Sequence, residues 1–221
     1  MKYSTVLFDL DGTLTDPYEG IVNGHTYTLE KFGIIETDDK KLRTFIGPPL
    51  ELVYSDSYGF NPEDTKKAVN FYRSYYAEKG VYQNKLYDGI VDLLEFLNAK
   101  NITCMVATSK AEPFALQVLD NFNLRKYFAD VSAALMDGSR SDKADIIAHL
   151  IEKHRLEKSS MVMVGDRKFD IIGAQKNGID SIAVGYGYGD EAEFKEAGST
   201  YYCRDMKALK TFFHKNRIIF S

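Results

Sequence analysis

Asp9 and Asp11, in the run Asp9-Leu10-Asp11-Gly12-Thr13, directly follow the apolar stretch Val6-Leu7-Phe8. Ionised carboxylates are costly to hold beside buried chain unless something pairs or coordinates them. The pair therefore points to a cation, a proton-transfer role, or both, although Asp-Gly is also ordinary turn chemistry. Two residues apart on an extended chain, the two side chains leave the same side, and Gly12 lets the backbone turn tightly beside a ligand. More groups of this kind recur downstream. Thr108-Ser109-Lys110 follows Cys104-Met105-Val106-Ala107, and Gly165-Asp166-Arg167-Lys168-Phe169-Asp170 follows Met161-Val162-Met163-Val164. Lys143 opens an apparent helix after Ser141-Asp142. Asp166 and Asp170 are four apart, so one turn of helix lets both face a single ion. Oxygen-only donors favour Mg²⁺, which is commonly held by one or two carboxylates plus a substrate phosphate. Thr108 can donate to a phosphoryl oxygen and Lys143 can neutralise one. Each group alone has a plainer use: a helix cap for Thr108-Ser109, a solvated helix residue for Lys143, surface acids for Asp166 and Asp170. In this order, each beside a strand or helix boundary, they describe a metal-and-phosphate site.

The elements that must position these groups alternate along the chain. Val6-Phe8, Thr103-Ala107, Met161-Val164 and Ser181-Val184 read as buried strands. Between them Ile90, Leu93, Leu94 and Leu97 recur at helical spacing, as do Ile146, Ile147, Leu150 and Ile151. Glu112 to Phe122 and Phe169 to Asn177 are further expected helices, the latter stopped by Gly178. Alternation of this kind predicts an α/β fold, a Rossmann-like parallel sheet covered on both faces. Ligands of such sheets bind beyond the carboxyl ends of the strands, where these groups lie.

Residues 16–82 read as helices without a convincing strand. Asn61-Pro62 supplies a cap residue and a first-turn proline. Ala68, Phe71, Tyr72, Tyr75 and Tyr76 follow as one stripe, closed by Gly80, and Gly47-Pro48-Pro49 separates two shorter helices. The stripe reads as core, with a binding surface as its alternative. The expected organisation is an α/β core over 1–15 and 83–221, with a helical insertion over 16–82.

Composition narrows the function further. The 221 residues carry a net charge of −4 with no Lys/Arg block, which argues against nucleic acid as a partner. No apolar run approaches the roughly 18 residues of a membrane span, and the N-terminus lacks a signal-peptide pattern. Cys104 and Cys203 are the only cysteines and read as reduced, mostly buried thiols. These features predict a cytoplasmic protein without a membrane partner, and a monomer is favoured.

Asp9-Leu10-Asp11-Gly12-Thr13, Thr108, Lys143 and Gly165-Asp166 through Asp170 resemble the four signature motifs of the haloacid dehalogenase superfamily phosphatases. The resemblance runs nearly end to end, and the insertion at 16–82 resembles the small cap domain of that family. Asp16 to Gly33, Gly47-Pro48 and the run Gly185-Tyr186-Gly187-Tyr188-Gly189 are similar to the phosphoglycolate phosphatase and bacterial 5′-nucleotidase branches. The resemblance implies an Mg²⁺-dependent phosphomonoesterase acting on a small phosphate ester, a nucleoside monophosphate or phosphoglycolate. It implies Asp9 as nucleophile and Asp11 as general acid and base. Thr108, the Ser109 backbone and Lys143 would bind the phosphoryl group. The metal would be held by the Asp9 carboxylate, the Asp11 carbonyl and Asp166, with Asp170 assisting. In the cap, His25 and Arg43 are expected to face the cleft and contact substrate. The run Gly185 to Gly189 fits neither a P-loop nor the dinucleotide fingerprint. It reads as a sheet-edge loop, with substrate or cap contact by Tyr186 or Tyr188 as the alternative. A phosphosugar mutase of the same superfamily and a non-catalytic binding module are the competing functions.

Overall fold

The computed structural model describes residues 2–215 of the chain; Met1 and residues 216–221 of the expected core lie outside the described residues. The first half contains β1 (Thr5–Phe8), β2 (Thr15–Asp16), α1 (Tyr18–Lys31), α2 (Asp39–Arg43), α3 (Leu50–Tyr58) and α4 (Pro62–Glu78). It continues through β3 (Lys85–Leu86), α5 (Ile90–Ala99), β4 (Thr103–Ala111) and α6 (Glu112–Asn121). The second half contains β5 (Asp130–Ala134), α7 (Lys143–His154), β6 (Met161–Gly165), α8 (Lys168–Asn177) and β7 (Asp180–Val184). It closes with α9 (Glu191–Ala197), β8 (Tyr201–Cys203) and α10 (Met206–Lys215).

Six strands form one parallel sheet in the order β5-β4-β1-β6-β7-β8. β1 lies between β4 and β6, with Val6 opposite both Cys104 and Val162. Alternate side chains of each strand enter opposite faces. Val6, Phe8, Val106 and Val164 pack with Leu93, Leu94 and Leu97 of α5 and Leu209 of α10. Leu7, Met105 and Met163 pack on the other face with Ile146, Ile147 and Leu150 of α7. Burial on both faces is why these strands read as unbroken apolar runs.

Two strands, β5 and β8, were not legible. Three of the five residues of β5, Ser132, Ala133 and Ala134, are small, and Tyr201–Cys203 is three residues long. β4 extends beyond the expected Ala107 to Ala111, with a register shift against β5 between Thr108 and Ala111.

The segment after the first motif carries the expected helices, but the chain at its borders, Thr15–Asp16 and Lys85–Leu86, forms strand. Asp16 of β2 pairs antiparallel with Lys85 of β3, a two-residue ribbon too short to leave a pattern. Asn61 caps α4 by accepting the Asp64 N–H at 2.9 Å. Ala68, Tyr72 and Tyr76 of the stripe are buried, whereas Phe71 and Tyr75 lean outward. Among the described residues, no helix is long and apolar enough to cross a membrane.

Candidate active site

With β4 on one side of β1 and β6 on the other, the chain reverses its direction of winding at β1. The crevice at such a switch point opens at the carboxyl ends of β1, β4 and β6. Asp9 follows β1 directly, and its N–H donates to the Val164 carbonyl at 2.9 Å, so the ladder itself fixes it. Lys143, the first residue of α7, reaches Asp9 Oδ1 at 2.9 Å and Asp170 Oδ1 at 2.7 Å. Its Nζ also donates to the Ala107 carbonyl at 3.0 Å, which gives the buried ammonium three partners. The helix is aimed by Asp142, whose carboxylate caps it through the Ala144 N–H.

Asp166 and Asp170 stand behind Asp9. The Thr13 hydroxyl donates to Asp166 Oδ1 at 3.1 Å and the Tyr188 N–H to Asp166 Oδ2 at 2.8 Å. Asp170 Oδ2 accepts the Arg167 N–H at 3.1 Å. The expected helical turn joining the two acids is absent: α8 begins at Lys168, so Asp166 projects from the loop after β6 and Asp170 from the first turn. They converge nonetheless. Oxygens of Asp9, Asp166 and Asp170 all lie within 4.8 Å of one another, and all three residues are buried.

Three carboxylates this close repel strongly out of water. Burial, reinforced by the charges of Asp170 and Asp9, pushes Asp166 well above the usual carboxylate range. Burial also lifts Asp170, to about 6, against the pull of Lys143. Lys143 goes the other way. Burial alone would lower it, but Asp170 and Asp9 outweigh that and hold the ammonium above its ordinary range. An oxygen-only, mutually repelling, buried donor set fits a hard divalent cation.

Asp11 belongs to a second pair. Asp9 and Asp11 line the same cavity, although the chain between them turns instead of running extended, because β1 ends at Phe8. Leu14 and Thr15 N–H groups both close onto the Leu10 carbonyl, and Gly12 adopts φ +84°. A Cβ at Gly12 would overlap the Asp166 carboxylate, so only glycine allows this approach. The Asp11 carboxylate meets Lys110 Nζ at 2.7 Å, a contact the sequence reading missed although Lys110 ends the Thr108-Ser109-Lys110 run. Lys110 in turn lies 4.4 Å from the centre of the Tyr76 ring. Burial raises the Asp11 carboxyl despite the neighbouring ammonium.

Thr108 is buried, and Ser109 Oγ donates to the Ser141 carbonyl at 3.3 Å. Neither caps the next helix, whose cap position is Ala111 with no side-chain bond. Asp9, Asp11, Thr108, Ser109 and Lys110 line one cavity. Its opposite wall comes from the helical segment, with Ile21, Phe45, Pro48, Leu50, Tyr72 and Arg73. The glycine-tyrosine run packs behind the acids rather than on this cavity. Tyr186 donates to the Thr13 carbonyl at 3.0 Å and Tyr188 to Asp16. A Cβ at Gly187 would strike Asp166 and the Gly12 carbonyl.

Two expected cap residues are not at the cavity. His25 is fully buried among Phe45, Tyr54 and Tyr72, with Nδ1 3.1 Å from the Tyr54 hydroxyl. It sits on the inner face of α1, so it packs the helices together. Burial lowers its imidazole to about 3. Arg43 is exposed, pairs with Asp39 at 3.0 Å and lies over the Tyr18 ring, away from the cavity lining. The charged groups that the helical segment does lend to the cavity are Glu51 and Arg73, which no sequence signal separated from other helix-surface charges.

A family model described as haloacid dehalogenase-like hydrolase matches residues 6–184, which spans the segments of Asp9, Thr108, Lys143 and Asp166 to Asp170 and the helical segment. The chain belongs to this family. Among the relatives of this haloacid dehalogenase-like chain is a 5′-nucleotidase from Pseudomonas aeruginosa, 41% identical over 210 residues, covering 95% of each chain. Another is the tyrosine-protein kinase PtkA of Mycobacterium tuberculosis, 39% identical over 196 residues, which are 88% of this chain and 66% of PtkA. The crystal structure of a predicted phosphatase from Clostridium acetobutylicum superposes with a TM-score of 0.94 at 40% identity, covering 97% of this chain and 99% of that one.

Proposed function

We propose that the protein is an Mg²⁺-dependent phosphomonoesterase that hydrolyses a small soluble phosphate ester through an aspartyl-phosphate on Asp9. The observation that carries this reading is the division of acids at the crevice. Asp9 joins a three-carboxylate cluster and Lys143, while Asp11 is held apart by Lys110 on the same cavity. Asp9 attacks phosphorus as Asp11 protonates the leaving oxygen, and Asp11 then takes a proton from the water that releases phosphate. A carboxyl raised by burial suits that donor role. Thr108, the Ser109 backbone and Lys143 bind the phosphoryl oxygens. The Asp9 and Asp166 carboxylates and the Asp11 carbonyl would hold Mg²⁺, with Asp170 assisting, and the bound ion would supply positive charge to the phosphoryl oxygens.

Residues 16–82 act as a cap over the core formed by 1–15 and 83–221, and exclude water from the cavity when closed. The substrate class is a nucleoside monophosphate, supported by the relative named a 5′-nucleotidase, or phosphoglycolate. Two buried free thiols, Cys104 and Cys203, support a cytoplasmic setting. With Mg²⁺ present the wild type turns over an aryl phosphate. Chelation stops turnover reversibly, and Asp9→Asn lowers kcat by about 10³-fold or more while the circular dichroism spectrum is retained. Near-wild-type turnover by Asp9→Asn would remove the mechanism.

A further inference from the structure

Every lysine at the crevice has a carboxylate partner: Lys143 has Asp9 and Asp170, and Lys110 has Asp11. Arg73 differs. It projects from α4 between Tyr72 and Tyr76 and lines the same cavity, yet among the described residues it makes no ion pair. Nη1 donates to the Met136 carbonyl, 2.8 Å away in the loop after β5. Nε is out of solvent and has no acceptor. A guanidinium is charged at every accessible pH and offers a rigid fork of donors. Nε, being out of solvent, is also out of a ligand's reach; the nitrogen open to an arriving acceptor oxygen is Nη2, which makes no hydrogen bond among the described residues and is not shut off from solvent.

The cavity assigns that oxygen to the organic part of the ester. The phosphoryl end is served by Asp9, Thr108 and Ser109 from the core, whereas Arg73 belongs to the opposite wall. The remaining surface around it is mostly apolar, with Ile21, Phe45, Leu50 and Tyr72. Such a wall fixes a leaving group by shape and leaves orientation to a few placed polar groups. We infer that Arg73 is the specificity-determining residue for the leaving group, selecting phosphate monoesters whose organic part carries an acceptor oxygen. That oxygen is a carboxylate or a base carbonyl. The inference rests on the phosphomonoesterase reading and names what that reading leaves open.

The bond to Met136 offers a rival role, in which Arg73 merely fastens the helical segment to the core. The two roles separate on selectivity. We expect wild type to prefer 2-phosphoglycolate or uridine 5′-monophosphate over phenyl phosphate, which has no acceptor on its leaving group. A carboxylate source shows as preference for phosphoglycolate, and a base-carbonyl source as preference for uridine over adenosine 5′-monophosphate. In Arg73→Met the ratio of kcat/KM for the preferred ester to that for phenyl phosphate falls about 10- to 100-fold. In Arg73→Lys, which keeps the charge without the fork, it falls by less. An unchanged ratio in Arg73→Met, whatever the absolute rates, overturns the inference in favour of the fastening role. So does a wild type that prefers phenyl phosphate. A wild type that hydrolyses none of the four esters with Mg²⁺ sinks the phosphatase reading itself, an outcome distinct from lost selectivity.

Discussion

At the residue scale the site is a problem in charge placement. Asp166 accepts two hydrogen bonds but sits within reach of two other buried carboxylates, so it is stabilised locally and repelled by its neighbours. Removing its charge relieves the repulsion and also removes the place for a cation. We therefore expect Asp166→Asn to melt at or above the wild-type temperature in chelator. Millimolar Mg²⁺ should raise the wild-type melting temperature by mass action and leave that of the variant unmoved. Thermal melts with and without Mg²⁺ check both halves, and an equal Mg²⁺ response in the two proteins would place the ion elsewhere. Lys143 shows the same logic from the other sign: with three partners it is buried at little electrostatic cost.

At the element scale, strand ends and helix starts do the aiming. β1, β4 and β6 deliver Asp9, Thr108 and Asp166, while the first turns of α7 and α8 deliver Lys143 and Asp170. Close approach between elements is bought with glycine. Gly20 on α1 lies against the backbone carbonyl of Gly80, and a Cβ there would overlap it. Backbone cannot swing aside as a side chain can, so α1 would have to move. Gly20→Ala should lose about 1–3 kcal/mol in urea unfolding, despite alanine's helix propensity advantage of about 1 kcal/mol. Equal or greater stability in the variant would mean that α1 shifts without strain. The strands were legible where both faces are buried, as in Val6-Leu7-Phe8 and Met161-Val162-Met163-Val164. They were not legible in β5, β8 and the β2/β3 ribbon, where small size or shortness erases the pattern.

At the scale of the whole molecule, α1, α3 and α4 share an aromatic interior that contains His25. The folded protein refuses the proton that an unfolded imidazole accepts below about pH 6.5. With the folded value lowered to about 3, stability is fully present above pH 6.5 and is lost as the pH falls from there toward 3. The expected slope from this group is about 1.4 kcal/mol per pH unit. His25→Phe should flatten the urea stability profile between pH 6 and pH 4 by about that amount per unit, with the carboxylates contributing the remainder in both proteins. Identical slopes would mean that His25 is protonated in the folded state. Polar contacts between the helical segment and the core include Tyr82 with Gln117 at 2.8 Å, Arg73 with the Met136 carbonyl, and Arg167 with the Ile46 carbonyl.

The sequence by itself determined which groups reach the crevice. Asp9, Asp11, Lys143, Asp166 and Asp170 lie at or just beyond the end of an element whose local pattern is readable, and Thr108 directly follows the readable apolar run of β4. Parallel-sheet topology then sends those ends to one edge. Only the tertiary structure decided their partners. Asp11 joins Lys110 across 99 residues of chain, while Asp9, its neighbour but one, joins Lys143. Only packing turned His25 inward, Arg43 outward and Arg73 onto the cavity. Alternation and capping act over a few residues and mark where an element ends. The direction in which a helix-borne side chain points depends on which face its neighbours bury, and no short-range pattern records that.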